Sequence, residues 1–415
     1  MKKKHLIVSM IVLTAVLSAP THLSARKAER VQNSGTTFAH DALQPYVESG
    51  ELPGAISIFY HDGVQETCCI GYANVEKKEK IGLNNAFMQC SQTKGFCGVT
   101  IAKLVEEGKL SLDDPVSKYL PEFATLWVLD GEQDGIRTLH KAKNVLTVRM
   151  VMNHTGGFPF ETSVKRNDVR GGGWSGGARL RQNAAVAAGS PIMFEPGTQA
   201  NYSNTGIDIG AAIVEVITGM KWEDYLKAEV LVPLGMTSTT FWPTDKQIKH
   251  HIEMYNCVKG APAEWRKEDP WEQRPYNDEH VFASAGAGLW TTAADQLKFY
   301  KMLMNLGIGD NGVRILQEET VKSMLAVSTR PDGMGGYSLG LNAPEHDSED
   351  AWFGHGGAFG TNCSINWHTK SLRLWVVQLS GTPRPWDKDI DKAANQFFET
   401  VIDNSGIKAY TGRTN

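Results

Sequence analysis

The sequence has few of the features that mark nucleic-acid-binding, disordered or membrane-spanning proteins. Its formal net charge is only −4, and no run of lysines and arginines follows the N-terminus, so it lacks the basic patches of nucleic-acid-binding proteins. Hydrophobic residues make up 41% of the chain, too much for a wholly disordered protein. No apolar run long enough to span a membrane occurs after the N-terminus. We therefore expect a folded domain with no membrane span and no nucleic-acid partner.

The common signatures of cofactor and metal sites are also missing. The sequence contains no phosphate-binding loop, no dinucleotide fingerprint and no CxxC pair. Its six cysteines have no spacing that demands disulfides, so we expect mostly free, buried thiols. The adjacent Cys68 and Cys69 should point to opposite faces of a strand. We expect no cofactor and no metal.

The first 25 residues have the pattern of a secretory signal peptide. Three lysines at 2–4 precede an apolar stretch over 6–19, and small residues follow it. This stretch is shorter than the roughly 20 residues that a membrane span needs. We therefore expect residues 1–25 to be removed and the protein to be exported to the periplasm or the extracellular space. An N-terminal tail over 26–39 would remain.

Strand patterns lie at both ends of the chain, around a mainly helical middle. Residues 53–74 read as a hairpin, and 361–367 alternates apolar and polar residues. The almost continuous apolar run 372–379 is typical of a central strand buried on both faces. An amphipathic helix over 390–402 closes the chain. This order predicts an α+β fold, in which an antiparallel sheet flanked by helices is built from both chain ends.

The same pattern predicts the domain organisation. One domain should extend over 40–405, followed by a short tail over 406–415. Within it, helical stretches and loops over about 91–284 should form a lobe inserted into the part that carries the sheet. The oligomeric state is not predicted.

The first candidate catalytic motif is Ser91–Lys94, at the start of a predicted helix over 91–107. Residues three apart on a helix lie on one face. A serine hydroxyl is a poor nucleophile until a neighbour accepts its proton. Burial at a helix N-terminus lowers the pKa of a lysine, so that it can accept one. On spacing alone, an ordinary first-turn or helix-capping serine remains the alternative.

Two further motifs have residue types that such a site needs. Tyr202–Asn204 precedes a predicted helix over 204–218, and a tyrosine beside a serine–lysine pair can pass a proton to the leaving group. His355–Gly357 begins the C-terminal hairpin, where glycines let a substrate lie close to the strand and a neighbouring N–H can bind an oxyanion. The alternatives are a rim aromatic with Asn204 as helix cap, and a loop histidine.

A rival nucleophile, Ser175, lies in a G-x-S-x-G motif over 173–177. That motif requires a preceding strand, and the polar residues 163–170 have no strand pattern. A glycine-rich loop over 171–177, either a lid or an idle insertion, is the better interpretation.

The ordered set of Ser91–Lys94, Tyr202–Asn204 and His355–Gly357 resembles the serine β-lactamase and penicillin-binding protein superfamily. Within it, the chain is most similar to the branch of class C β-lactamases, D-Ala-D-Ala carboxypeptidases and related esterases. The resemblance extends over about 40–405 and implies a β-lactamase/transpeptidase-like fold. The matching segments between the motifs include LVEEGKLSLDDPVSKYLPEF (104–123), LTVRMVMNHTGGF (146–158), VLVPLGMTSTTF (230–241) and GAGLWTTAADQLKF (286–299).

This resemblance implies a role for each motif residue. Ser91 would be acylated, Lys94 would accept its proton, and Tyr202 would assist acylation and deacylation. The backbone N–H groups of Ser91 and Ala358 would form the oxyanion hole. The implied substrate-binding residues are Asn204, which also positions Lys94, and His355, Gly356 and Gly357.

One departure from the family pattern bears on the substrate. β-Lactamases and transpeptidases usually carry K-T-G where this chain has His355-Gly356-Gly357, and a histidine is only a part-time cation near neutral pH. The leading function is therefore an exported serine hydrolase that cleaves an ester, amide or D-amino-acid peptide bond of a small-molecule or peptide substrate. The alternatives are a class C-like β-lactamase or D-Ala-D-Ala carboxypeptidase, and a catalytically silent relative that binds cell-wall material.

Overall fold

The computed structural model describes residues 30–32, 37–161, 179–258, 261–267, 282–326, 336–344, 348–380, 384 and 386–405. The α-helices are α1 (Phe38–Glu48), α2 (Thr93–Glu106), α3 (Val148–Met152), α4 (Leu180–Ala188), α5 (Asn204–Thr218), α6 (Trp222–Leu226), α7 (Asp245–Lys249), α8 (Ala293–Met304), α9 (Glu318–Leu325) and α10 (Trp386–Ser405). Short 3-10 turns lie at Cys90–Gln92, Val116–Lys118 and Pro121–Ala124, and a π-helical turn lies at Lys227–Leu231. The strands are β1 (Arg30–Gln32), β2 (Gly54–His61), β3 (Val64–Asn74), β4 (Glu79–Lys80), β5 (Phe87–Met88), β6 (Trp127–Gln133), β7 (Ile136–Lys141), β8 (Tyr255–Val258), β9 (Ala261–Lys267), β10 (Trp290–Thr291), β11 (Gly336–Tyr337), β12 (Asn342–Ala343), β13 (Phe353–Gly357), β14 (Thr361–Asn366), β15 (Ser371–Val376) and β16 (Leu379–Ser380).

The largest sheet of the described residues joins the two ends of the chain. Its order is β1-β3-β2-β15-β14-β13-β12-β11, with β4 beside β3. Strand β15 is central and pairs antiparallel with β2, so that Leu372 lies opposite Tyr60 and Val376 opposite Ile56. The β1–β3 pair at one edge is parallel. The predicted antiparallel sheet, built from both chain ends, is confirmed.

Alternating side chains of the central strands fill an apolar layer on each face of this sheet. Phe59 and Trp375 pack in one buried cluster with α1 and α10. Their neighbours Ile58 and Leu374 pack in the other, with residues of α2, α5 and α8. This follows from the two-residue period of a strand, which sends successive side chains to opposite faces. The α+β fold class, a sheet flanked by helices, is therefore confirmed.

Helix α2 lies unusually close to the segment that precedes β12. A Cβ atom added to Gly98 would lie 1.9 Å from the carbonyl oxygen of Leu339. One added to Gly340, where φ is +73°, would lie 2.0 Å from the carbonyl oxygen of Lys94. Only glycine permits this approach and this backbone conformation. The contact brings the edge strands against the first turns of α2.

Of the two helices predicted beside motifs, α2 begins later than expected and α5 keeps its bounds. Helix α2 begins at Thr93 rather than Ser91, which lies in the preceding 3-10 turn, and Gly108, with a φ of +67°, follows its C-terminal end. Helix α5 spans 204–218 as predicted. Ser203, however, is its N-cap, since the serine hydroxyl accepts a hydrogen bond from Gly206 N–H at 3.0 Å.

Two parts of the chain differ from the prediction. The apolar run 372–379 is not one strand, because β15 ends at Val376 and Gln378 has a φ of +58°. The chain turns there, and β16 pairs with β8 in a smaller sheet. In the middle of the chain, β6 and β7 form a hairpin where helices and loops were expected. Most of its residues are exposed, so its sequence has no apolar alternation to reveal it.

The cysteines whose side chains the structure describes are free thiols, and most of them are buried. Cys68 is buried and Cys69 exposed, as expected for neighbours on a strand. Cys97 and Cys363 are buried free thiols. None of the described helices is long and apolar enough to cross a membrane.

Candidate active site

Ser91 lies in the turn between β5 and α2. Cys90, just before it, has a φ of +50°, which a residue with a side chain rarely adopts. The Cys90 carbonyl accepts a hydrogen bond from the Thr93 hydroxyl at 2.6 Å, and Thr93 Oγ1 accepts one from Leu289 N–H at 3.2 Å. These bonds hold the chain in a strained conformation that leaves Ser91 half-buried at the start of the helix.

Lys94 is fully buried one turn further on, and its amine contacts three oxygen atoms. Nζ lies 2.6 Å from Asn204 Oδ1, 2.7 Å from the carbonyl oxygen of Gly286 and 3.2 Å from Ser91 Oγ. The structure therefore brings Ser91, Lys94 and Asn204 together as the motifs predicted. The Gly286 carbonyl was not predicted.

Burial makes Lys94 a weaker base than an exposed lysine, but one suited to neutral pH. Burial lowers its pKa to about 7, and the charge of Asp208 opposes that shift. A neutral amine has two N–H donors and one lone pair. The two carbonyl oxygens cannot donate, so they take the N–H groups of Lys94. The lone pair is then left for the hydroxyl of Ser91.

Tyr202 lies against both groups. Its ring centroid is 4.5 Å from Lys94 Nζ, and the Ser91 hydroxyl is close enough to affect the pKa of its phenol. Burial raises the pKa of Tyr202 well above its usual range, with the Ser91 hydroxyl opposing the change. Tyr202 is therefore a neutral phenol in the resting site. Phe160, which is 46% exposed, stacks on it with ring centroids 6.0 Å apart.

His355 is a buried neutral imidazole in this structure. Its Nδ1 lies 2.6 Å from the carbonyl oxygen of Gly356, which can only accept, so Nδ1 carries the hydrogen. Its Nε2 then accepts hydrogen bonds, with Tyr337 Oη at 3.0 Å and Tyr202 Oη at 3.3 Å. Burial, and then the nearby charge of Lys94, lower the pKa of His355 to about 3. The expectation of a part-time cation near neutral pH is therefore wrong, because burial suppresses the charge.

The glycine strand β13 lies beside the Ser91 turn. The Gln92 side chain donates a hydrogen bond to the His355 carbonyl at 2.9 Å. A Cβ atom on Gly357 would lie 2.5 Å from the Gln89 carbonyl, so only glycine fits there. Ala358 follows directly and is exposed, and its carbonyl accepts a hydrogen bond from Arg384. The two segments that carry the predicted oxyanion donors are thus in contact.

A Cβ atom on Gly356 would meet only ordinary contacts at 3.7–3.8 Å, so the space there does not require glycine. The rival nucleophile Ser175 lies outside the described residues. Among the described residues, no cluster of three histidine, cysteine, aspartate or glutamate side chains is placed to hold a metal ion.

Some site residues were not predicted from sequence. Tyr337 reaches His355 from strand β11. His154 packs between two tyrosines, 4.5 Å from the Tyr202 ring and 4.3 Å from the Tyr337 ring. Asp208 lies one turn after Asn204 on α5 and is 5% exposed. A carboxylate among the apolar residues 207–214 of this helix was a signal that could have identified it.

Comparisons with known proteins agree with this fold. A sequence profile of the Beta-lactamase family matches residues 39–396, which is most of the chain. The chain therefore belongs to this family.

The chain is similar to several named proteins. An Escherichia coli K12 protein with the provisional name D-alanyl-D-alanine carboxypeptidase is 28% identical over 347 residues, covering 79% of this chain and 76% of its own. The structure of EstCE1, a hydrolase with promiscuous acyltransferase activity, matches with a TM-score of 0.69 and 21% identity, covering 86% of this chain and 97% of that one. A LovD variant, simvastatin synthase from Aspergillus terreus, matches with a TM-score of 0.71 and 21% identity, covering 87% and 97%. At these identities the structural matches establish a shared fold.

Proposed function

We propose that this protein is a serine hydrolase that cleaves an ester, amide or D-amino-acid peptide bond through an acyl-enzyme on Ser91. The observation that carries the proposal is the surroundings of Lys94 Nζ. Two carbonyl oxygens accept its N–H groups at 2.6 and 2.7 Å, and Ser91 Oγ lies at 3.2 Å. An amine held in this way directs its lone pair at the serine hydroxyl, as a general base must.

The residues define a sequence of proton transfers. In acylation, the Ser91 proton moves to Lys94 Nζ while Ser91 Oγ forms a bond to the substrate carbonyl carbon. The carbonyl oxygen takes the negative charge, and the N–H groups of Ser91 and Ala358 are the candidate donors to it. When the carbon–leaving-group bond breaks, the leaving group departs with a proton, for which Tyr202 is the candidate carrier. Water then hydrolyses the acyl-enzyme and restores Ser91.

The state of His355 favours substrates without a carboxylate. A lysine in this place would offer a permanent charge, whereas His355 is neutral and presents an acceptor nitrogen. A lost charge-assisted hydrogen bond is worth about 1.5–3 kcal/mol, or about 10- to 150-fold in binding. Uncharged esters lose nothing by the change. We therefore favour esterase or amidase activity over efficient β-lactam or D-Ala-D-Ala turnover.

The test is covalent labelling with a fluorophosphonate, followed by peptide mass mapping. We expect one adduct on Ser91, lost in Ser91→Ala, and labelling at least about 100-fold slower in Lys94→Met. Lys301→Met is the matched control, because Lys301 is also buried but contacts Tyr60 and Asp310 instead. An adduct on Ser175 would contradict the assignment.

Turnover assays separate the alternatives. Hydrolysis of p-nitrophenyl esters, with weak activity on nitrocefin and D-Ala-D-Ala peptides, supports the proposed function. Efficient nitrocefin hydrolysis without esterase activity would favour a true β-lactamase. Neither labelling nor turnover would favour a silent binding protein.

We also propose that residues 1–25 direct export, on the basis of their lysines and the apolar stretch that follows. Expression in a bacterial host should give a shortened protein in the periplasm or the medium, and N-terminal sequencing would locate the cleavage. Full-length protein retained in the cytoplasm would contradict this proposal.

A further inference from the structure

A buried carboxylate, that of Asp208, is linked to the proposed base through Gly286. Asp208 is 5% exposed, and its Oδ1 accepts hydrogen bonds from Gly286 N–H at 3.1 Å and from the Ser284 hydroxyl at 3.2 Å. Burial raises its pKa to about 7, while Lys94 and these donors oppose that shift. A carboxylate is costly to bury unless its charge is paired.

The residue that Asp208 holds is also the one that contacts Lys94. Gly286 donates its N–H to Asp208 and accepts a hydrogen bond from Lys94 Nζ at its carbonyl, at 2.7 Å. A Cβ atom on Gly286 would lie within 2.7–2.8 Å of Asn204, so this turn also packs directly against the other acceptor. Asp208 therefore fixes the position of the turn that orients the amine.

The charges around Lys94 give Asp208 a second effect. When Lys94 accepts the serine proton, a positive charge forms in a fully buried place, where an unpaired charge is strongly disfavoured. Asp208 supplies the opposite charge and raises the pKa of Lys94 against the effect of burial. Among the described residues, the other titratable groups near the pair are Tyr202, His355 and Cys90 around Lys94, Cys97 beside Asp208, and Glu161 beside Asn204.

We propose that Asp208 is a positioning residue for Lys94, which holds the Gly286 carbonyl on the amine and is the counter-charge for the ammonium formed during acylation. The inference rests on the proposed function. Asp208 exchanges no atoms in the step. The proton leaves Ser91 Oγ for Lys94 Nζ, and Oγ forms the new bond to the substrate carbon.

The test is the pH dependence of Ser91 labelling by a fluorophosphonate in Asp208→Asn. Asparagine can still accept the Gly286 N–H but carries no charge. Without the carboxylate, the amine loses its proton more easily, so the acid limb of the labelling rate should move to lower pH by about one unit or more. The maximal rate should fall at least about tenfold, because the ammonium formed in the step has lost its partner.

Asp295→Asn is the matched control. Asp295 is 3% exposed and accepts hydrogen bonds from Ser238 N–H at 2.7 Å and the Thr239 hydroxyl at 3.1 Å, and it has no contact with Lys94 in the described structure. The acid limb of the Ser91 labelling rate in Asp295→Asn should match that of the wild type. An acid limb in Asp208→Asn that is unmoved or moves to higher pH would overturn the inference. Absence of Ser91 labelling in the wild type would overturn the proposed function instead.

A reciprocal measurement leaves Asp208 in place, which covers the case in which Asp208→Asn does not fold. Lys94→Met removes the positive charge, so one aspartate carboxyl should titrate at higher pH than in the wild type when followed by carbon-13 NMR. An unchanged aspartate titration would overturn the coupling between the two residues.

Discussion

Gly286→Ala adds a single methyl group and tests whether the two hydrogen bonds from Lys94 Nζ to Asn204 and Gly286 are needed for acylation. The backbone at Gly286 is not in the left-handed region, so alanine adds no conformational strain there. The added Cβ would lie 2.7 Å from Asn204 Cβ and 2.8 Å from its Cγ and Oδ1. Carbon atoms in good contact are about 3.5–4.0 Å apart, so one side must retreat by about 1 Å.

Either movement removes a hydrogen bond from Lys94. If the Asn204 side chain retreats, its Oδ1 leaves the amine, which it now contacts at 2.6 Å. If the turn retreats, the Gly286 carbonyl leaves instead, and the bond from its N–H to Asp208 is strained. A hydrogen bond to a charged group is worth about 1.5–3 kcal/mol. We therefore expect acylation to slow by about 10- to 150-fold.

The assay is the rate of Ser91 labelling, measured beside p-nitrophenyl ester hydrolysis and thermal unfolding. Gly131→Ala is the control, because a Cβ atom there meets nothing within 4 Å. The double variant Gly286→Ala with Asn204→Ala should lose less than the sum of the two single effects, because Asn204→Ala removes two of the three atoms that the added Cβ would meet. A Gly286→Ala enzyme with wild-type acylation would refute the reasoning, and additive losses would refute the shared cause.

Three further predictions concern Tyr202 and Lys94, which carry protons in the proposed mechanism, and His355. Tyr202→Phe should lower turnover at least about 100-fold, and near-wild-type turnover would remove Tyr202 from the proton path. Because burial lowers the pKa of Lys94 to about 7, kcat/KM should rise as pH increases through that value, and a flat profile between about pH 6 and 8 would contradict its role as base. Because the pKa of His355 is lowered to about 3, the ratio of turnover for carboxylate and neutral substrates should stay constant over about pH 6–8, as measured with paired ester substrates. A ratio that rises toward pH 6 would show that His355 gains a proton there.

The contact between Ser91 and Lys94 could be predicted from local rules. The three-residue spacing of Ser91 and Lys94 needs only the geometry of a helix to place both side chains on one face. The hydroxyl and amine are indeed in contact, at 3.2 Å. Tyr202 and His355 are remote in sequence, and only the resemblance to a known family predicted that they would meet.

The rest of the site depends on backbone atoms and on burial, which residue types do not reveal. The acceptor from Gly286 is a carbonyl group, and any residue carries one. The protonation of His355 follows from its hydrogen bond to Gly356 and from its burial, and a histidine in an exposed loop would have the opposite behaviour. Asp208 was visible as a carboxylate in an apolar helix, but its partner lies on a segment distant in the chain.

Burial is the common cause of the charge distribution around Ser91. It keeps Tyr202 protonated and His355 neutral, and it moves the pKa of Lys94 down and that of Asp208 up, each to about 7. In the proposed acylation, the ammonium appears only when the serine proton moves to Lys94. Strand β13 (Phe353–Gly357) has no cationic side chain to bind a negatively charged substrate. A neutral carbonyl compound needs no such partner, because it carries no charge that burial would disfavour. The proposed preference for uncharged substrates thus follows from the same burial that lowers the pKa of the proposed base, Lys94.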